Sequence, residues 1–183
     1  YSALVSGGCS PDSPVLAEIH RKDSILLRQE KEIAFAAARE AAPKSKKAYW
    51  AYQDENYLRS AELFVEGAAE EDGLSESSRA EMCFKAAQIC FANLKNYEKA
   101  RTYAEKSLEY QPNWGKPYLL IGDLYASSGP LCGTGTGFKS QVVTWVAIDM
   151  WRKAKEVDSD PFVQKKARAQ ISKYTQYMPT GED

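Results

Sequence analysis

The chain has 183 residues, of which 44% are hydrophobic and 27% charged, and its formal net charge is −1. This composition is typical of a globular protein and excludes a largely disordered chain. Lysine and arginine occur in runs no longer than a pair, which argues against a surface that follows nucleic-acid phosphates. No apolar run approaches the ~18 residues that a membrane-spanning helix needs.

The N-terminal segment is a predicted loop rich in small residues. Residues 4–9 resemble a bacterial lipoprotein cleavage site in part, with Ser6 where leucine is usual. Two alternatives stay open for Cys9, a lipidated cysteine and an ordinary loop cysteine. Because the chain begins at Tyr1 without methionine, we expect a processed or truncated product.

A helical region follows. Ser13 and Pro14 form a favourable helix start, with serine as N-cap and proline in the first turn. The apolar stripe up to residue 42 is broad enough to pack on two sides, and Asp23 marks a possible break. His20 is the only histidine and has no accompanying nucleophile motif. We therefore expect it to be a surface or partly packed residue and not a catalytic base.

A repeated pattern of large and small residues organises the rest of the chain. Two sets of three positions recur with an offset of 34 residues (118 − 84 = 34): Phe84, Ala87 and Phe91 match Tyr118, Ile121 and Tyr125. With Gly122, the second set resembles the W-x-x-L-G-x-x-Y motif of the tetratricopeptide (TPR) repeat, with tyrosine replacing tryptophan, and 34 is the TPR period. The resemblance implies an all-α fold, an α-solenoid of TPR-type helical hairpins in a right-handed superhelix.

The spacing also has a packing reason. Two helices approach closely only where one offers a small residue, and Gly122, Ala87 and Ala100 supply such positions. Asn96-Tyr97 starts the partner helix of one hairpin, and Asn56-Tyr57 repeats that signal earlier. The predicted organisation is a loop at 1–13, a helical region at 14–46, a degraded TPR-like hairpin at 47–79, a TPR at 80–114, a TPR at 115–160 with an inserted loop at 127–139, and a capping helix and tail at 161–183.

The junction before the central helix carries a run of acids. Glu66, Glu70 and Glu71 lie near a predicted helix C-terminus, which the helix dipole disfavours. A solvated charge run and a basic partner are both compatible with this placement. Ser77 or Ser78 is the predicted cap of the next helix.

The cysteines do not form an evident metal or disulfide pattern. Cys83 and Cys90 are seven residues apart on one predicted helix, so their Cα atoms lie ~10 Å apart, too far for a disulfide. We expect both to be buried small hydrophobic residues. A bridge between Cys9 and Cys132 stays open, so the redox compartment is undecided.

The second TPR contains an insertion. Gly122 and Ala147 are 25 residues apart, whereas the matching Gln88 and Ala100 are 12 apart, so 13 residues are inserted (25 − 12 = 13). The Gly-rich segment 133–140 departs from a phosphate loop because Phe138 separates the last glycine from the lysine, and no strand precedes it. Nucleotide binding, binding of another anion at the following helix start, and a plain connection are the alternatives.

A finer resemblance covers roughly residues 80–180. It depends on the segments Gly115–Tyr125, Cys132-Gly133, Trp145–Asp149, Lys153–Asp158 and Ile171-x-x-Tyr174-x-x-Tyr177-Met178-Pro179. Together these are similar to a TPR family of the Bacteroidota. The resemblance implies a periplasmic or cell-envelope scaffold without known catalysis, in a chain that usually continues past this proline.

The first helices of TPR hairpins line a concave face, which gives candidate contacts with another protein. The predicted protein-binding residues are Met82, Lys85, Ile89, Asn93, Trp114, Leu119, Asp123 and Ser127. No catalytic, cofactor-binding or metal residues are predicted, so we expect a non-enzymatic scaffold, a subunit or accessory of a membrane-associated envelope assembly. The alternative is a ligand-binding or enzyme-associated domain that uses the loop 129–138.

Overall fold

The computed structural model describes residues 6–8, 13–128 and 138–178. Within these ranges the regular structure is helical throughout, which confirms the all-α prediction. The helices are α1 (Pro14–Glu40), α2 (Lys44–Gln53), α3 (Tyr57–Glu70), α4 (Glu76–Ala92), α5 (Tyr97–Tyr110), α6 (Gly115–Ser128), α7 (Phe138–Val157) and α8 (Pro161–Thr175).

The chain divides into two compact units, residues 1–42 and 43–183. Helix α1 forms most of the first unit and runs without interruption for 27 residues. The possible break at Asp23 is therefore wrong. Ser24 at that point donates its hydroxyl to the carbonyl of His20 at 2.8 Å, so the polar side chain is satisfied inside the helix. None of the described helices combines the length and apolarity that crossing a bilayer requires.

The second unit is a series of helical hairpins. Helices α2 and α3, α4 and α5, and α6 and α7 form three pairs, each helix packs on the next, and α8 follows α7. The first helices also meet one another, because α4 contacts α6 and α6 contacts α8. One face of this unit is therefore built from α2, α4, α6 and α8.

The same turn joins the helices of the first two hairpins. Asn56 accepts a hydrogen bond from the backbone N–H of Arg59 at 3.3 Å, and Asn96 accepts one from Lys99 at 3.0 Å. Each asparagine therefore caps the helix that follows it, α3 or α5. The two turns share this chemistry because the Asn-Tyr pair recurs in the sequence.

The acidic junction has an intramolecular explanation. Lys44, at the start of α2, places its Nζ 3.1 Å from Glu66 and 2.6 Å from Glu70. Glu71 accepts hydrogen bonds from both the N–H and the hydroxyl of Ser45, at 2.6 and 3.0 Å. The C-terminal acids of α3 thus neutralise and cap the N-terminus of α2, where the dipole favours them.

The cap of the central helix lies before the predicted position. Ser75 is the N-cap of α4, and its hydroxyl accepts the backbone N–H of Ser78 at 3.1 Å. The prediction of Ser77 or Ser78 was wrong by two or three residues. The capping bond reaches from the N-cap to the third helical residue, so a run of serines offers several starts that are equivalent in sequence.

Two apolar clusters hold the hairpins together. The larger joins helices α2 to α6 and includes Cys83 and Cys90, which are buried free thiols as predicted. The smaller joins α6, α7 and α8 around the fully buried indole of Trp151. A Cβ on Gly122 would lie 2.6 Å from Cδ1 of Trp151, so the glycine lets α6 and α7 approach.

Candidate functional site: a groove on the first-helix face

The larger cavity on the first-helix face has a volume of about 500 Å³. It opens between α4, α6 and α8. Its walls combine aromatic, aliphatic and charged side chains: Glu81, Phe84, Lys85, Gln88, Trp114, Lys116, Leu119, Leu120, Phe162 and Lys166. A cavity of this size with mixed walls suits a ligand that presents both apolar and polar groups.

A second cavity of about 240 Å³ lies beside the first and is more apolar. It lies between α2, α3 and α4 and is lined by Tyr49, Tyr52, Phe64, Lys85, Gln88, Ile89, Ala92 and Asn93. Because Lys85 and Gln88 line both cavities, the two adjoin each other. We call the combined surface the groove.

The aromatic residues of the groove are held by one another. The rings of Tyr49 and Phe64 meet edge to face with centroids 5.0 Å apart. Phe84 and Trp114 form a second edge-to-face pair at 4.9 Å, which joins α4 to the start of α6. Trp114 is half-buried, so it packs between hairpins and also lines the groove. Such pairs keep bulky walls in fixed positions, which lowers the entropy lost on binding.

Charge in the groove is predominantly positive. Three lysines, Lys85, Lys116 and Lys166, line the larger cavity, and Glu81 is its one acidic lining residue. The ammonium of Lys85 lies 4.4 Å from the ring centroid of Tyr49, a cation–π contact that orients it toward the smaller cavity. The lining of the larger cavity is therefore more cationic than the chain as a whole, whose net charge is −1.

Asp123 connects the three helices behind the larger cavity. Its Oδ1 accepts the indole N–H of Trp151 at 3.1 Å and the side-chain amide of Gln170 at 2.9 Å. Its Oδ2 lies 2.9 Å from Nζ of Lys166. With three partners from α7 and α8, this carboxylate positions one wall lysine of the groove.

The eight predicted contact residues fall into three groups. Five line the groove: Lys85, Ile89, Asn93, Trp114 and Leu119. Asp123 lies behind the wall in the network just described. Met82 is 7% exposed and lies over Gly67, while Ser127 is exposed on α6 and lines neither cavity. The role of all eight in binding stays a prediction.

Several lining residues were not among the predicted set. Lys116 and Phe162 lie in the first turns of α6 and α8, and Tyr49 and Tyr52 belong to the degraded hairpin. The spacing of Tyr49 and Tyr52 by three residues on α2 was the available signal, since these positions share a helix face.

The chemistry of the described residues does not point to a metal or a reactive thiol. Among residues 6–8, 13–128 and 138–178, no group of three or more histidine, cysteine or acidic residues is placed to hold a metal ion. Burial raises the pKa of the Cys83 thiol to about 11, and burial also raises the pKa of Cys90. Both therefore stay protonated and poorly nucleophilic at neutral pH.

The predicted Gly-rich loop lies almost entirely outside the described residues. Residues 129–137 are not described, and α7 begins at Phe138. Cys9 and Cys132 also lie outside the described residues. The alternatives of anion binding, lipidation and a Cys9–Cys132 bridge stay predictions.

Comparison with known proteins identifies the fold. No protein-family model matches the sequence, and no curated protein matches it significantly. Among solved structures, one titled "First TPR of Spaghetti (RPAP3) bound to HSP90 peptide SRMEEVD" is similar, with a TM-score of 0.50 and 14% sequence identity. The likeness covers 73% of this chain and 88% of that chain. At this identity it establishes the architecture alone: the chain has a TPR-type helical-repeat fold.

Proposed function

We propose that the chain is a non-enzymatic protein-interaction module that binds a segment of another protein in the groove. The observation that carries the proposal is the pair of adjoining cavities, walled by Tyr49, Trp114 and Phe162, on the face formed by the first helices. Phe162 is 61% exposed, and solvent-exposed aromatic side chains of this kind are typical anchors of protein interfaces.

The fold supports the same proposal. The similar solved structure is described as a TPR domain bound to a peptide, so this architecture is compatible with a peptide ligand. In helical-repeat proteins, stacked hairpins create long binding surfaces from first-helix residues. The groove extends over three hairpins and α8, which is enough to contact several consecutive residues of a partner.

The cellular context that we propose follows from the sequence resemblance to a Bacteroidota TPR family. In this proposal the chain is a periplasmic or cell-envelope scaffold, a subunit or accessory of an outer-membrane or secretion assembly. Fractionation of cells that produce the protein, followed by detection in each fraction, tests the location. Recovery in the cytoplasmic fraction would reject it.

Site-specific photo-crosslinking tests the binding surface. A benzoylphenylalanine is introduced at Gln88, an exposed residue between the two cavities, or at Glu109, an exposed residue of α5 outside both cavities. We expect a discrete crosslinked partner from the Gln88 position alone. The partner is then identified and purified. It should bind the wild-type chain, and wild-type chain added in excess should reduce the crosslink formed from position 88. A partner captured equally from Glu109, or from neither position, would contradict the proposal.

A further inference from the structure

The lysines of the groove are not fully neutralised by the acids around them. Lys166 is paired with Asp123 at 2.9 Å. Lys85 lies over the rings of Tyr49 and Phe64, at 4.4 and 5.8 Å from their centroids, contacts that leave its charge in place. With Lys116 there are three cations against Glu81 and Asp123, so the wall keeps an excess of positive charge.

The smaller cavity has a different chemistry. Lys85 is its one charged lining residue. The rings of Tyr49, Tyr52 and Phe64, two aliphatic side chains and two carboxamides of the α4 region form the rest of its wall. Its volume of about 240 Å³ suits one large apolar side chain. Since Lys85 lines both cavities, a ligand that fills the smaller one passes directly over a cation.

Two carboxamides complete the surface. Gln88 lies between the cavities and Asn93 at the end of α4, and both are exposed. A carboxamide both donates and accepts, which matches the unpaired N–H and C=O groups of an extended peptide. A helical ligand would have satisfied those groups internally, so the carboxamides favour an extended chain.

We propose that the groove selects an extended peptide in which an acidic residue adjoins a large apolar residue. This inference rests on the proposed function and specifies the partner's chemistry. The apolar side chain fills the cavity at Tyr49 and Tyr52. The carboxylate lies toward Lys85 and Lys116, and the backbone bonds to Gln88.

The test uses short fluorescein-labelled peptides and the full chain. One peptide places glutamates beside a phenylalanine, a second replaces the glutamates with lysines, and a third replaces the phenylalanine with alanine. Fluorescence anisotropy at low salt measures the dissociation constants. We expect the first peptide to bind at least about tenfold more tightly than either relative, a difference of about 1.4 kcal/mol. Added salt should weaken the binding of the glutamate peptide more than it weakens the binding of the lysine peptide.

Two variants assign the selectivity to the groove. Lys116→Glu reverses a wall charge in the first turn of α6, where the helix dipole favours an acid, so folding should be retained. It should abolish the preference for glutamate over lysine. Tyr49→Ala, at a residue 47% exposed, should abolish the preference for phenylalanine over alanine. Lys99→Glu is the matched control, because it makes the same change in the first turn of α5 outside both cavities.

Each outcome decides for or against the inference. Selectivity that disappears in the two groove variants and survives Lys99→Glu supports it. Equal binding of the three peptides, tighter binding of the lysine peptide, or tighter binding of a labelled oligothymidylate at the groove would overturn it. If no peptide binds while Gln88 still crosslinks a protein, the peptide chemistry is wrong and the interaction function survives. If both fail, the proposed function fails with it.

Discussion

Gly122 is the position at which the packing of the second TPR can be tested most directly. A Cβ added there would lie 2.6 Å from Cδ1 and 2.8 Å from Cε2 of Trp151, and closer still to Nε1. The indole is fully buried and donates to the carbonyl of Leu119 at 3.3 Å and to Asp123 at 3.1 Å. A methyl group at Gly122 therefore forces either the ring or helix α7 to move.

The expected cost of Gly122→Ala follows from three effects. Overpacking of a well-filled core costs about 1–3 kcal/mol. Displacing the indole weakens two hydrogen bonds, one buried and one partly buried, which adds about 1–2 kcal/mol. Alanine is favoured over glycine in a helix by about 1 kcal/mol, which opposes the loss. The free energy of unfolding should fall by about 2 kcal/mol, measured by urea titration with far-ultraviolet circular dichroism.

A double-mutant cycle identifies the cause of that loss. Trp151→Phe removes the donor and the larger ring, so a methyl group at Gly122 gains space. In that background Gly122→Ala should cost less than half of what it costs in the wild type. Ser127→Ala, at an exposed position of the same helix, controls for helix propensity. A Gly122→Ala protein as stable as wild type, or more so, would refute the proposed contact with Trp151.

Three further predictions concern stability. Ser60→Ala should lower the free energy of unfolding by about 1 kcal/mol, because the buried hydroxyl of Ser60 donates to the carbonyl of Ala48 at 2.8 Å. Ser107→Ala should be neutral or stabilising, because the buried hydroxyl of Ser107 has no partner among the described residues. Asn96→Ala should remove the cap of α5 and cost about 1 kcal/mol in a urea titration. The pKa of Cys83 is raised from 9.0 to about 11 on folding, so its contribution to stability is complete below pH 9 and is lost between pH 9 and 11.

The controls for these three predictions use the same residues. Equal losses for Ser60→Ala and Ser107→Ala would contradict the difference in their hydrogen bonding. Asn96→Asp retains an acceptor and should keep most of the stability, so a loss equal to that of alanine would argue against capping. Cys83→Ala should flatten the decline of stability between pH 9 and 11, and an unchanged slope would assign the decline to other groups.

Features set by a few consecutive residues could be predicted from sequence. The Asn-Tyr pairs gave the starts of α3 and α5 because capping depends on a bond between neighbours in the chain. The small residue at Gly122 anticipated the close approach of α6 to its partner helix α7, since the TPR pattern places a small residue where two helices cross. These features depend on local chemistry and on the repeat period.

The walls of the groove depended on contacts that the sequence does not encode locally. Met82 was expected on the exposed side of α4, but its side chain occupies the space over Gly67 and is buried. That outcome depends on how α3 sits against α4, which helix periodicity does not specify. Lys166 enters the larger cavity because α8 packs beside α6, a pairing between residues far apart in the chain.

A chain of contacts connects the core of the second TPR to the groove. Gly122 admits the indole of Trp151, the indole donates to Asp123, and Asp123 holds Lys166 in the wall of the larger cavity. The small residue of the repeat motif and a lysine of the groove wall are therefore connected through direct contacts. A change at Gly122 should alter the position of Lys166 as well as stability, because the indole and Lys166 share the carboxylate of Asp123.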